Sequence, residues 1–332
     1  MNETALKRVA IVGAGAIGGW LGTKLARADG EVSVLARGAT LRALQADGLQ
    51  LHEADEHWVV PVRAAADASQ LGVQDLVVVA VKAPALASVA RQIGPLIGPT
   101  TVILTAMNGV PWWFLDGFDS ELAGSRLMSV DPDGAVARAI PSQQVMGCVV
   151  HASCSVDAPG IVRHHFGNGL IVGEPSGGVG ERAQAVASRL QRAGLDATVS
   201  PHIQKDIWYK LWGNMTVNPI SALTGATTDR ILGDDLVRGF VSSVMLEAKA
   251  IGERLGIPID QQPEDRHAVT RKLGAFKTSM LQDVAAGKPV ELDALVSSVR
   301  ELGQLTGVAT PFTDALLGLS RLQAQTLGLY PG

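Results

Sequence analysis

The sequence predicts an α/β fold in which an N-terminal parallel sheet, with helices on both faces, is followed by an all-α C-terminal domain. Three observations carry that reading. The apolar run Val9-Ala10-Ile11-Val12 ends in Gly13-Ala14-Gly15-Ala16-Ile17-Gly18, and a helical pattern (Ile17, Leu21, Leu25) starts there. Strand-like and helical stretches then alternate to about residue 110, as strands joined through helices require. After Pro201 strand patterns vanish, and apolar residues recur only at helical spacing.

In chain order, strands are expected at 7–12, 31–36, 75–81 and 101–106, with helical segments between them. The third and fourth are nearly all apolar, as strands buried on both faces should be. From 145 to 173 short strands broken by turns suggest an antiparallel extension. Pro175-Ser-Gly-Gly-Val-Gly180 lacks the Lys-Ser/Thr of a phosphate-binding P-loop and is taken as a connector. A helix over 181–194 and a strand over 196–199 close the first domain, residues 1–200. Residues 201–332 form the second, with helices expected over 203–223, 230–256, 264–286, 291–306 and 312–325 and stops at Gly256, Gly287 and Gly307.

With 332 residues, 47% hydrophobic and 18% charged, the chain can bury two cores and is not disordered. A net charge of −4 gives no general attraction for nucleic acid or an anionic membrane, so an anionic ligand must be held by local cations. No apolar run is long enough to span a bilayer, and the fold-forming sequence begins at Lys7, so a cytoplasmic protein is expected. The sequons at Asn2 and Asn214 carry no weight in that setting. Cys148 and Cys154 make no disulfide framework and are read as small buried residues of one strand. His151, His164 and His165 lack ligand spacing, and no metal is expected.

Strand, GxGxxG and helix in that order place backbone N–H groups and a helix N-terminus against a pyrophosphate, the mark of a Rossmann-type dinucleotide-binding domain. Gly13 makes the turn, Gly15 admits the phosphates, Gly18 lets helix and strand pack, and Ala16 and Ile17 supply the first helical N–H groups. The second strand ends in Arg37 where NAD and FAD sites usually place an acid. Arg37 is either a surface cation or the partner of a 2′-phosphate, and the second reading selects NADPH. Lys82, after the third strand, is either a second phosphate contact or a surface lysine.

In the helical half, Lys210, Asn214 and Asn218 recur at i, i+4 and i+8 and form one polar stripe. Trp208, Leu211, Trp212 and Met215 take roughly the opposite side. The stripe is either a solvated face or a ligand-holding one; two asparagines are an odd choice for a water-facing helix. Asn108-Gly109 follows the fourth strand, at the carboxyl edge where open α/β sheets bind ligands, and could equally be a plain turn. Glu291 opens a helix, where an acid is favoured by the dipole alone, and Ser279 lies upstream beyond Gly287.

These residues resemble the ketopantoate reductase (2-dehydropantoate 2-reductase) family. The pieces that match are Gly13–Gly18, Leu35-Ala-Arg37, Val81-Lys-Ala83, Asn108-Gly-Val110, Lys210-Leu-Trp-Gly-Asn214 with Asn218-Pro219, Ser279-Met-Leu-Gln-Asp283 with Glu291, and Gly307-Val-Ala-Thr-Pro311. The resemblance implies Lys210 as general acid and Glu291 as the group that contacts the substrate hydroxyl and orients the lysine. It implies Asn108 between cofactor and substrate, Asn214, Asn218 and Ser279 on the substrate, and Arg37 and Lys82 on the 2′-phosphate of NADPH. One departure is Pro111-Trp112-Trp113-Phe114, bulky where the family is small and polar, at the start of a stretch to 145 that looks inserted.

The implied reaction is reduction of a 2-oxo acid, with Lys210 giving a proton to the developing alkoxide. Two other readings stay open on sequence: a paralogue acting on a bulkier 2-oxo or 2-hydroxy acid, for which the inserted-looking stretch 112–145 could line or cover the cleft mouth, and a non-catalytic NADP(H)-binding protein. The apolar C-terminal helices leave a homodimer open.

Overall fold

The computed structural model describes residues 6–28, 30–118 and 120–331; Asn2 and the other opening residues of the expected first domain lie outside them. The chain forms two compact units. One comprises residues 1–107 and 134–203, the other 108–133 and 204–332.

The first unit holds a ten-stranded sheet in the order β4-β3-β9-β8-β7-β6-β1-β2-β5, with β10 also paired to β9. Its centre is parallel: β1 (Arg8–Val12) lies between β2 (Glu31–Leu35) and β6 (Leu76–Val79), and β6 pairs with β7 (Val102–Thr105). Register places Val12 beside Leu35 and Val79, and Val79 beside Thr105, so these four strands end along one edge. They are almost wholly buried, as their continuous apolar sequence requires. The helix α1 (Ala16–Arg27) covers the sheet with Trp20, Leu21 and Leu25, all without solvent exposure.

The antiparallel extension is one long hairpin, β8 (Val145–Ala158) and β9 (Ile161–Gly173), with register shifts at His151/Ser153, Ser153/Cys154 and Val156/Ala158. Those bulges break the stretch into the short runs seen in the sequence. The segment after α2 (Gly38–Asp47) differs from expectation: it forms a hairpin of β3 (Leu49–Glu53) and β4 (Glu56–Val60), then β5 (Arg63–Ala65), rather than more helix. Leu49 and Leu51 are buried while Gln50 and His52 are half-buried, so the period-2 signal was present. The turn at Ala54-Asp55 hides it, because it lacks the Gly or Asn of common two-residue hairpins and puts Ala54 at φ 50°. The remaining elements are α3 (Leu86–Ile93), α4 (Ala135–Ala139), α5 (Glu181–Arg192) and β10 (Asp196–Val199).

Helices make up the second unit: α6 (Ile203–Thr224), α7 (Thr228–Gly233), α8 (Asp235–Arg254), α9 (Pro263–Arg271), α10 (Ser279–Ala285), α11 (Ser298–Thr306) and α12 (Pro311–Thr326). Two expected helices are split, each by a capping residue inside the apolar pattern. Asp234 accepts from the N–H groups of Leu236 and Val237, starting α8. Thr278 accepts from Leu281 N–H at 3.3 Å, starting α10 after an irregular 272–278. None of the described helices is long and apolar enough to cross a membrane.

Candidate active site

In the first unit the glycine-rich loop leaves β1 at the carboxyl edge of the sheet, and each glycine has a separate cause. Gly13 has φ +96°, and a Cβ there would stand 2.6 Å from Val81 Cγ1. A Cβ on Gly18 would lie 2.0 Å from the Gly13 carbonyl oxygen, so that glycine alone lets α1 close on the turn. Gly15 caps α1, and a Cβ on it would meet no protein atom within 4 Å. Protein packing therefore does not demand glycine at 15, while a phosphate approaching the first-turn N–H groups of Ala16 and Ile17 does. The loop fits the pyrophosphate of a dinucleotide.

Arg37 and Lys82 leave the same edge, after β2 and β6, and both are exposed. Arg37 gives a hydrogen bond to Gln92 Oε1 at 2.5 Å, and no carboxylate pairs with it among the described residues. A neutral partner orients the guanidinium and leaves its charge for an anion such as a 2′-phosphate.

In the second unit α6 is enclosed on nearly every side. Trp208, Leu211, Trp212 and Met215 are fully buried, Asn218 is buried, and Lys210 and Asn214 are half-buried. The polar stripe is thus not a solvated face. Lys210 Nζ donates to Asn108 Oδ1 at 2.8 Å, across 102 residues of chain. Pro219 inside α6 has no N–H for the carbonyl four residues back, so the helix ladder is interrupted beside Asn218.

Asn108 is held by the turn that follows it. Val110 N–H donates to the Ala294 carbonyl at 2.8 Å, and Gly109, at φ +85°, lies so close that a Cβ would be 2.5 Å from that oxygen. Ala294 belongs to a π-helical stretch, Asp293–Ser297, that begins two residues after the buried Glu291. The turn is therefore real, and it fixes the backbone from which the Asn108 side chain accepts the Lys210 bond. Sequence reading missed the Ala294 carbonyl, since a backbone acceptor leaves no residue-type signal. Ser279 is the exposed first residue of α10, and no bond between it and Lys210 or Asn108 is found.

The aromatic run that opens the inserted-looking stretch packs inside the second unit. Trp112, Trp113, Phe114 and Leu115 are all buried, and the Phe114 ring lies 6.0 Å from that of Trp208 on α6. Their apolar area builds the core of the second unit, which makes bulk there a packing requirement. Further along, Glu301 holds residues 128 and 129, accepting from Met128 N–H at 2.6 Å, Ser129 N–H at 2.8 Å and Ser129 Oγ at 2.6 Å.

His164 Nδ1 lies 3.1 Å from Glu53 Oε1 and its ring stacks on Trp20, while His165 Nε2 lies 2.9 Å from Ser155 Oγ. Burial, and then the Glu53 carboxylate, pushes the Cys154 thiol up to about 12, so it is no thiolate nucleophile near neutrality.

Comparison with known proteins agrees with both units. Residues 9–177 match the family described as Ketopantoate reductase PanE/ApbA, and residues 202–324 match its C-terminal counterpart. A 2-dehydropantoate 2-reductase of Mesorhizobium japonicum is 48% identical over 97% of this chain and 99% of its own length. A crystal structure from Ralstonia solanacearum, proposed there to be a ketopantoate reductase, is 59% identical with a TM-score of 0.95 over 98% of this chain and all of its own. A 2-dehydropantoate 2-reductase structure from Geobacter metallireducens is 27% identical, with a TM-score of 0.84 over 95% of this chain and 99% of its own. With both parts matched in order and relatives aligned almost end to end, this chain belongs to the ketopantoate reductase family.

Proposed function

We propose that the chain reduces the 2-oxo acid 2-dehydropantoate (ketopantoate) to pantoate with NADPH. Family membership supports the reaction, and one observation carries the assignment of residues: the half-buried Lys210 ammonium fixed on Asn108 at 2.8 Å. NADPH, when bound, supplies the hydride that the ketone carbon receives. Gly13, Gly15 and Gly18 with the Ala16 and Ile17 N–H groups would hold its pyrophosphate, and Arg37 and Lys82 its 2′-phosphate. Lys210 gives a proton to the oxygen that becomes the hydroxyl and stabilises the charge forming there. It is then reprotonated from water. Asn108 fixes the ammonium in place, Glu291 takes the substrate hydroxyl side, and Asn214, Asn218 and Ser279 complete the substrate contacts.

Trp112, Trp113 and Phe114 are buried in the second unit, so their bulk does not by itself favour a bulkier substrate. Cys148 and Cys154 are not joined in a disulfide, which suits the cytoplasm. Leu236, Phe312, Leu319 and Leu322, left exposed on α8 and α12, favour a homodimer, which sedimentation would test.

The test is NADPH oxidation followed by absorbance with 2-dehydropantoate and a panel of other 2-oxo acids. Lys210→Ala should lower kcat by about 10²–10⁴ with NADPH still bound. Unchanged turnover would remove Lys210 from the mechanism.

A further inference from the structure

The residues assigned to the substrate include a single cation, Lys210, and the proton it gives goes to the ketone oxygen. A 2-oxo acid also carries a carboxylate, and Glu291 adds a second negative charge. Asn214, Asn218 and Ser279 can donate hydrogen bonds to the substrate carboxylate but supply no opposing charge.

Arg266, on α9, carries one. Its guanidinium lies against Gly213 of α6: a Cβ there would stand 2.7 Å from Nε and 3.1 Å from Nη2. Gly213 comes three residues after Lys210 and directly before Asn214, so the cation lies on the turn of helix that carries both. The Tyr209 ring supports it from the side, 5.0 Å from Cζ. A glycine in the middle of a helix is disfavoured against alanine, and here it opens the notch the guanidinium occupies.

Three other arginines of this unit have acidic partners: Arg238 with Asp235, Arg271 with Glu264 and Arg300 with Asp314. Arg266 has none among the described residues, although Glu264 is two residues away. Its Nε is buried and has no hydrogen-bond acceptor. A buried donor on a cation without an acceptor is unfavourable by itself and becomes favourable when an anion arrives. A planar fork held against the turn of helix that carries an ammonium suits a carboxylate beside a ketone: the fork would take the carboxylate while the ammonium meets the ketone oxygen.

We propose that Arg266 receives the carboxylate of the 2-oxo acid and thereby sets the preference for acids over their neutral derivatives. This rests on the reading of Lys210 as proton donor on the neighbouring turn. The test is calorimetric binding of pantoate and of its primary amide to the NADP-loaded enzyme, with turnover of Lys210→Ala measured alongside. Wild type should bind the acid more tightly than the amide by about 10- to 100-fold. In Arg266→Ala that ratio should fall close to one with the amide affinity unchanged, and Arg266→Lys should fall between. Arg266→Gln, close in shape and neutral, gives the same reading if the alanine variant does not fold. Equal weakening of acid and amide, or an unaltered ratio, overturns the proposal. Full turnover in Lys210→Ala would instead overturn the reading beneath it, whatever the binding ratio.

Discussion

Tyr330 donates its phenolic proton to Asp293 Oδ1 at 2.5 Å, and Asp293 is the first residue of the π-helical stretch behind Asn108. The same carboxylate oxygen accepts from Ser297 Oγ at 3.0 Å, and Val290 N–H donates to the Leu329 carbonyl at 3.2 Å. Residues 329–330 thus brace both sides of Glu291. A π-turn has poorer hydrogen-bond geometry than an α-helix and needs such outside support.

Tyr330→Phe should destabilise the protein by about 1–2 kcal/mol, since it removes one half-buried hydrogen bond to a charged acceptor. Burial, and then the bond to Asp293, raises the Tyr330 phenol from 10.0 to about 12. A raised folded-state value means that this stabilisation is complete below the unfolded value and fades as pH climbs through the folded one. The stability gap between wild type and variant should therefore be flat below about pH 10 and close towards pH 12. Urea midpoints for both proteins across that range check it, and a gap constant through pH 12 would contradict it.

Gly109→Ala should damage catalysis and stability together. A left-handed backbone costs a non-glycine residue about 1–2 kcal/mol, and the added methyl would press on the Ala294 carbonyl. Relief requires the 108–110 turn to move, taking Asn108 from Lys210. The expected result is a lower Tm and a kcat reduced at least about tenfold, more than the NADPH affinity changes. A variant with a lowered Tm and wild-type kcat would separate the turn from the chemistry.

The parallel centre of the sheet was legible in the sequence because its strands are apolar runs ended by turn residues, and each observed strand falls inside the expected stretch. The β3–β4 hairpin was not, because Ala54-Asp55 carries no turn signature. The breaks at Asp234 and Thr278 are single side chains whose capping role depends on which way the backbone turns, and helical periodicity runs straight through both. That Lys210, Asn214 and Asn218 form a stripe turned away from water was legible from their spacing and residue type. The meaning of Gly213 and Arg266 was not, because it lies in contact across 53 residues of chain, with no periodicity to mark it. The place of the aromatic run at 111–114 was not legible either, because it depends on contacts far along the chain such as Phe114 with Trp208.

Gly15→Ala and Gly18→Ala should part company. At 15 the methyl meets no protein atom, so Tm should change by less than about 2 °C while the NADPH Kd rises tenfold or more, the methyl occupying the phosphate approach. At 18 the methyl would overlap the Gly13 carbonyl oxygen, so α1 cannot close on β1, and both Tm and NADPH binding should fall. Thermal melts and NADPH fluorescence titrations on the two variants decide the matter. Equal loss of Tm in both would mean that Gly15 is structural.

Arg37→Asp should exchange the coenzyme. The arginine has a neutral partner, Gln92, so its removal strands no buried acid and should leave folding intact within about 0.5 kcal/mol. NADPH would lose a charge-assisted contact of about 1.5–3 kcal/mol and meet a like charge at the 2′-phosphate, which raises its KM by about tenfold or more. NADH has no phosphate there, and its ribose hydroxyls can donate to the new carboxylate, so its KM should hold or fall. Because the ketone end of the reaction is untouched, kcat with saturating coenzyme should stay near wild type. The ratio of kcat/KM for NADPH over NADH reads all of this at once; an unaltered ratio would mean that Arg37 serves only to hold Gln92.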